Sequence, residues 1–253
     1  MAGSLPRIVT PLLGFFRRIV RRYFRRSFHA VRVRGAERFS AATGPLIVYA
    51  NHGSWWDPMV AFYLADKLMP GRRHYAPMDA AALERYGILR ALGVFGVAMD
   101  SARGAVQFLR TGEAVLASDG VLWVTPQGKF VDARVRPLEF KAGLAALASR
   151  TGCTVLPLAI EYTFWDERTP ECLLQFGEPV RVARGQAMDG VLEAALLGTM
   201  EELREAAMTR DARAFTTLSD GSVGTGGFYA VGLRLKALIQ RRKYQAEHTA
   251  VER

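Results

Sequence analysis

The sequence predicts an α/β fold: a mixed, largely parallel sheet covered by helices on both faces, with an N-terminal amphipathic helix. Three observations carry this. Apolar runs at residues 46–50, 121–125 and 155–161 are short and uninterrupted, as in strands buried on both faces. The segments between them space their apolar residues as helices do, and strands alternating with helices build a parallel sheet with crossovers. The chain of 253 residues is 50% hydrophobic and 23% charged, which is enough apolar material for one full core.

The elements follow in order. Residues 12–28, set out at roughly 100° per residue, place Leu12, Leu13, Phe15, Phe16, Ile19, Val20, Tyr23 and Phe24 on one broad arc, with Arg17, Arg18, Arg21, Arg22, Arg25 and Arg26 on the other. Val31 and Val33 alternate with arginines in a short strand that Gly35 ends. The strand 46–50 leads to a helix over 58–67. Residues 87–96 read as a short helix or loop leading to a strand over 94–99. A helix over 102–117 is stopped by Asp119-Gly120, and the strand 121–125 follows. Then come a helix over 144–149, the strand 155–161, further strands over 173–176 and 179–182, and a long helix over 191–210. Residues 219–227 are glycine-rich and are expected to form a mobile loop. The resulting division is 1–36 as a basic membrane-associating segment, 37–215 as the folded domain, and 216–253 as the glycine-rich loop with a basic C-terminal helix over 228–244.

Charge is distributed unevenly. The net charge is +10, yet residues 1–36 alone hold nine arginines and no acid. Another five basic residues fall within 234–243, while residues 37–233 carry 19 basic and 22 acidic side chains. A nucleic-acid-binding domain would spread its basic residues over the folded face, so this layout argues against one. A helix with an arginine face opposite Phe and Leu suits the surface of an anionic bilayer, where each arginine adds about 1 kcal/mol. The alternative is an ordinary helix packing its apolar face on the domain. No stretch reaches the ~18 apolar residues of a transmembrane helix, and arginines interrupt every candidate signal-peptide core. The expected location is the cytoplasmic face of the cell membrane, peripherally bound. Cys153 and Cys172 fit no metal or redox spacing and read as reduced core thiols.

Several chemistries are excluded by missing motifs. The sequence holds no Gly-x-Ser-x-Gly elbow, no phosphate-binding Walker loop and no His-Glu-x-x-His. Tyr229 stands where a dinucleotide fingerprint starting at Gly224 would need its last glycine. No metal and no resident cofactor are expected. His29 and His74 have no spaced partners, and His248 lies in a polar tail. What remains is Asn51-His52-Gly53-Ser54-Trp55-Trp56-Asp57-Pro58, immediately after the strand 46–50. Loops at the carboxyl ends of strands are where α/β sheets bind ligands. Histidine titrates near neutrality and can take a proton from an alcohol. Asp57, five residues on, can turn back to fix its tautomer. The competing reading makes Asp57 a helix N-cap before Pro58 and His52 a loop histidine. Trp55 and Trp56 read as packing residues or walls of an acyl groove.

Asn-His followed by four residues and Asp, after an apolar strand, resembles the first block of the lysophospholipid (1-acylglycerol-3-phosphate) acyltransferase family. Later stretches resemble its other blocks in order: GVFGVAMD at 93–100, VLWVTPQG at 121–128 with LEFKAG at 138–143, and VLPLAI at 155–160. The resemblance implies that His52 is a general base activating an acceptor hydroxyl against an acyl thioester, with Asp57 orienting it. It implies acyl-CoA or acyl carrier protein as donor co-substrate, a lipid acceptor, and no covalent acyl-enzyme. Asn51, Ser54, Gln127 and Gly128, within the matching blocks, are expected to bind substrate, and Lys129, Arg134, Arg136 and Lys141 on the following loop are candidate cations for the acceptor, the alternative being solvated surface charges. The chain departs from the family pattern in two blocks. Gln127 stands for the usual glutamate and Lys129-Phe130 for Thr-Arg, while Ser101 follows Asp100 where an arginine is usual and Arg103 comes two places later. Losing a guanidinium weakens a bidentate phosphate grip. Lysophosphatidate or a related lysolipid, the family's commonest case, is the acceptor the resemblance implies, and the weakened grip makes a glycolipid or glycosylated terpenoid hydroxyl the alternative. A non-catalytic lipid-binding protein on the same fold is the remaining reading.

Overall fold

A computed structural model describes residues 4–221. Helix α1 (Thr10–Ser27) is followed by β1 (Ala30–Arg34), the short α2 (Ala36–Ser40) and β2 (Leu46–Ala50). Next come α3 (Asp57–Leu68), β3 (His74–Asp79), α4 (Ala80–Arg85), β4 (Val94–Val97), α5 (Ala102–Ala117) and β5 (Val121–Val124). The chain continues through α6 (Gly143–Thr151), β6 (Thr154–Thr163), β7 (Glu171–Phe176), β8 (Val180–Arg181), α7 (Val191–Met208) and β9 (Thr216–Asp220).

The strands form one nine-stranded sheet in the order β4-β3-β5-β2-β6-β7-β1-β9, with β8 beside the start of β6. From β4 to β6 every pairing is parallel, and the antiparallel contacts are confined to the β7, β8 and β9 side. Strand β2 lies in the middle and is wholly buried, so successive side chains serve opposite faces. Leu46, Val48 and Ala50 enter the apolar layer under α1 and α3, where Val20, Phe24, Val60, Tyr63 and Leu64 pack. Ile47 and Tyr49 enter the layer under α5, α6 and α7, with Phe108, Leu144, Leu147, Leu192 and Leu196. A strand covered on both sides has no polar face, which is why its sequence reads as a continuous apolar run.

The structure differs from the sequence-based expectation at several elements. Strand β3 and helix α4 fill a stretch in which no element was expected, and β9 pairs with β1 where a loop was expected from residue 219: Val31 faces Ser219 and Ala30 faces Asp220. The segments 1–36 and 216–253 each lend a strand to the central sheet, since β1 sits between β7 and β9. The remainder of the glycine-rich stretch, the basic helix expected over 228–244 and His248 lie outside the described residues.

Helix α1 divides its apolar arc. Val20 and Phe24 are buried, and Leu13 and Phe16 pack partly buried against the domain, while Phe15 and Tyr23 stay more than half exposed. Two of the six arginines also face inward: Arg21 Nε donates to Asp66 at 2.6 Å and Arg17 Nε lies 3.5 Å from the same carboxylate on α3. Among the described residues no helix is long and apolar enough to cross a membrane. Both cysteines are free and buried.

Candidate active site

The site grows from the carboxyl end of β2. Parallel pairing stops at Ala50 opposite Leu158, and the Asn51 side chain extends the ladder by one rung. Its Nδ2 donates to the Ile160 carbonyl at 2.9 Å, and its Oδ1 accepts from the Ile160 N–H at 2.8 Å. Both ends of the carboxamide are therefore used by the sheet and the residue is buried, so Asn51 holds the loop instead of facing a substrate.

His52 follows, and its backbone is gripped twice by the loop after β5. The His52 N–H donates to Gln127 Oε1 at 2.9 Å, and the Val131 N–H donates to the His52 carbonyl at 2.8 Å. Gln127 is buried, and its expected substrate-facing oxygen is occupied by the peptide it positions. Gly128 makes this possible by adopting φ +66° in the turn closed by its N–H on the Thr125 carbonyl. A Cβ there would also come within 2.6 Å of the Lys141 side chain.

The imidazole and Asp57 are brought together. His52 Nδ1 lies 2.8 Å from Asp57 Oδ2, with the two side chains 15% and 1% exposed. Asp57 begins α3, just before Pro58, but its carboxylate caps no helical N–H. It turns back instead: Oδ2 also accepts from the Ser54 N–H at 2.9 Å, and Oδ1 accepts from the Tyr162 hydroxyl at 2.8 Å. A carboxylate only accepts, so Nδ1 is the donating nitrogen in this contact and Nε2 is the ring nitrogen outside it. Among the described residues no polar side chain reaches Nε2. Ser54 serves the turn through its N–H and through Oγ, which accepts from the Trp56 N–H at 3.2 Å.

Aromatic rings frame this loop. Phe130, 61% exposed, lies 4.5 Å from the imidazole between ring centroids. Trp56 packs edge-on against Phe24 and Phe28 and is structural, whereas Trp55 projects with 54% exposure. Three of the four cations expected to bind an acceptor have carboxylate partners. Arg134 grips Asp132 with two nitrogens, Arg136 pairs with Glu201 at 3.0 Å and Lys141 with Asp100 at 2.6 Å. Lys129 is exposed beside Phe130. Among the described residues no group of His, Cys, Asp and Glu could hold a metal ion.

Tyr162 is the residue the sequence reasoning missed. It lies one position past the expected end of the third long strand, and burial, reinforced by the nearby Cys172 and Asp57, raises its phenol well above the ordinary range. Its signal was the alternation of β6, which turns Ile160 and Tyr162 to the face opposite Glu161.

A histidine paired with a buried carboxylate thus stands on the carboxyl edge of a doubly covered parallel sheet in an α/β protein. The chain belongs to the acyltransferase family, whose model matches residues 30–161 and so spans β1 to most of β6. Its fold is similar to that of the 1-acyl-sn-glycerophosphate (LPA) acyltransferase PlsC from Thermotoga maritima, with a TM-score of 0.57 over 77% of this chain and 79% of that one. The two are 20% identical in sequence, so the likeness is one of fold. No curated protein matches the chain by sequence.

Proposed function

We propose that this protein is a peripheral-membrane O-acyltransferase, moving a fatty acyl group from acyl-CoA or acyl carrier protein to the hydroxyl of a lipid acceptor. The observation that supports the reading is the 2.8 Å contact between His52 Nδ1 and a buried Asp57, which leaves Nε2 as the ring nitrogen outside that pair. Nε2 takes the proton of the acceptor hydroxyl as its oxygen attacks the thioester carbonyl. The imidazolium formed is stabilised by Asp57. The tetrahedral intermediate then collapses: the C–S bond breaks, the new ester remains, and the departing thiolate takes the proton from His52. No acyl-enzyme forms and no metal or resident cofactor is needed.

A lysophospholipid, with lysophosphatidate first, is the leading acceptor. The pairing of Arg134, Arg136 and Lys141 with carboxylates favours a second reading, in which the acceptor is a glycolipid or similar hydroxyl without a phosphomonoester. The exposed part of α1, which carries Phe15 and Tyr23 together with Arg18, Arg22 and Arg26, supports docking on an anionic bilayer at the cytoplasmic face.

The test is thiol release from acyl-CoA and from acyl carrier protein, with lysophosphatidate or a glycolipid as acceptor. His52→Ala should lower turnover by about 10²–10⁴-fold while remaining folded. Wild-type rates in that variant would sink the mechanism. Tight lipid binding with no thioester consumption would instead support the non-catalytic lipid-binding reading.

A further inference from the structure

We propose that Tyr162 is a positioning residue for the His52–Asp57 pair, acting through the carboxylate oxygen that His52 does not touch. This rests on the reading of His52 as general base. Oδ2 of Asp57 is committed to His52 Nδ1 and the Ser54 N–H, while Oδ1 accepts from the Tyr162 hydroxyl at 2.8 Å, across 105 residues of sequence. The terminal torsion of an aspartate is a broad, roughly two-fold well. A donor on each oxygen fixes the carboxylate plane and keeps Oδ2 in line with Nδ1.

The phenol is itself held in place. Its ring stacks on Phe28 at 5.6 Å between centroids, and its strand carries the Ile160 peptide that clamps Asn51. The end of β6 thus anchors the catalytic loop on both sides of His52. The hydroxyl also has an electrostatic effect: a donor on Oδ1 draws negative charge away from Oδ2 and so weakens the hold of Asp57 on an imidazolium. The titratable groups around the pair are Tyr162 from β6 and Cys172 from β7, and burial keeps both protonated. Among the described residues no Lys or Arg forms an ion pair with Asp57.

Tyr162→Phe keeps the ring and its stacking and removes only the hydroxyl. NMR titration, with His52 assigned through a His52→Gln spectrum, should show His52 protonating at higher pH than in the wild type. The acid limb of kcat/KM should move up with it. At the plateau kcat should fall about 10- to 100-fold with KM little changed, because the freed carboxylate no longer holds the imidazole in its reacting alignment, a loss larger than the gain from a stronger pull of Asp57 on the imidazolium. In an Asp57→Asn background the same change should have almost no effect on kcat.

A purely structural tie between β6 and α3 would lower the melting temperature and leave the His52 titration where it was, and that result overturns the proposal. Additive losses in the double variant overturn it too. If the wild type transfers no acyl group, the acyltransferase reading falls, and the NMR titration still decides the role of Tyr162. Should Tyr162→Phe fail to fold, 3-fluorotyrosine at 162 offers a stronger donor of nearly the same shape. It should move the His52 titration to lower pH, and no movement refutes the coupling.

Discussion

Asn51→Ala tests whether the carboxamide belongs to the sheet or to the substrate. Truncation removes the donor and the acceptor that satisfy the Ile160 carbonyl and N–H, in a residue only 5% exposed. Neither group has a substitute partner on β2, because the parallel ladder with β6 ends at Leu158. Each buried backbone group left unmet costs about 1–3 kcal/mol, so the pair predicts a loss of roughly 4 kcal/mol. For a domain of this size that corresponds to a fall in melting temperature of about 8–16 °C. The His52 peptide keeps its own anchors on Gln127 and Val131, so KM for acceptor and donor should hold at temperatures well below the melt. Urea denaturation monitored by fluorescence gives the free energy, and initial rates give KM. A stability change under about 1 kcal/mol together with a raised KM would refute the reasoning and return Asn51 to the substrate.

Two further outcomes follow from buried ionisable groups. His74 donates through Nε2 to the Met69 carbonyl at 2.8 Å and accepts at Nδ1 from the Trp123 indole at 3.1 Å, and burial pushes its pKa down from 6.5 to about 4. The unfolded chain takes up this proton between pH 6.5 and 4 and the folded protein does not, so stability is full above pH 6.5 and falls as pH drops through that window. His74 should contribute a loss of about 2 kcal/mol between pH 6.5 and 5, and a folded-state NMR signal that titrates in that range would contradict it. Asp66, whose side chain is 5% exposed, faces Arg17 and Arg21 at 21% and 48%. The arginines can rehydrate and the carboxylate cannot. Denaturation of Arg17→Ala/Arg21→Ala should therefore show a loss of about 3 kcal/mol, larger than that of Asp66→Ala, and the reverse order would rule out the argument.

Legibility in the sequence followed burial. Strands β2, β5 and β6 show as apolar runs because helices cover both their faces. Strand β3 carries His74, Pro77 and Asp79 and earns its place only by pairing between β5 and β4, and β9 is a polar, largely exposed edge. Neither has a periodic apolar signal, so only the tertiary pairing defines it. Helix α1 is a subtler case. Its apolar arc was plain on the wheel, but a wheel cannot say which part of an arc meets lipid and which meets protein. The acid that turns Arg17 and Arg21 inward lies on a different helix, 45 residues beyond Arg21.

The same locality separates the reactive pair from its supports. His52 and Asp57 are five residues apart, and one turn of chain brings them together, so spacing alone could propose them. Gln127, Ile160 and Tyr162 are 75 to 109 residues from the groups they hold, and their roles exist only once β5 and β6 flank β2. Polar residues beside a reactive loop invite assignment to the substrate. Here the first claim on Asn51, Gln127 and Ser54 comes from the backbone, since a buried loop must satisfy its own peptide groups before it can present a side chain. Subtracting those claims leaves Trp55, Lys129 and Phe130 exposed on the loops after β2 and β5, with Phe130 4.5 Å from the His52 ring between centroids. One ammonium and two aromatic rings offer an acceptor more packing surface than charge. Acceptor choice should accordingly respond to Phe130 and Lys129 before it responds to Arg134 or Arg136.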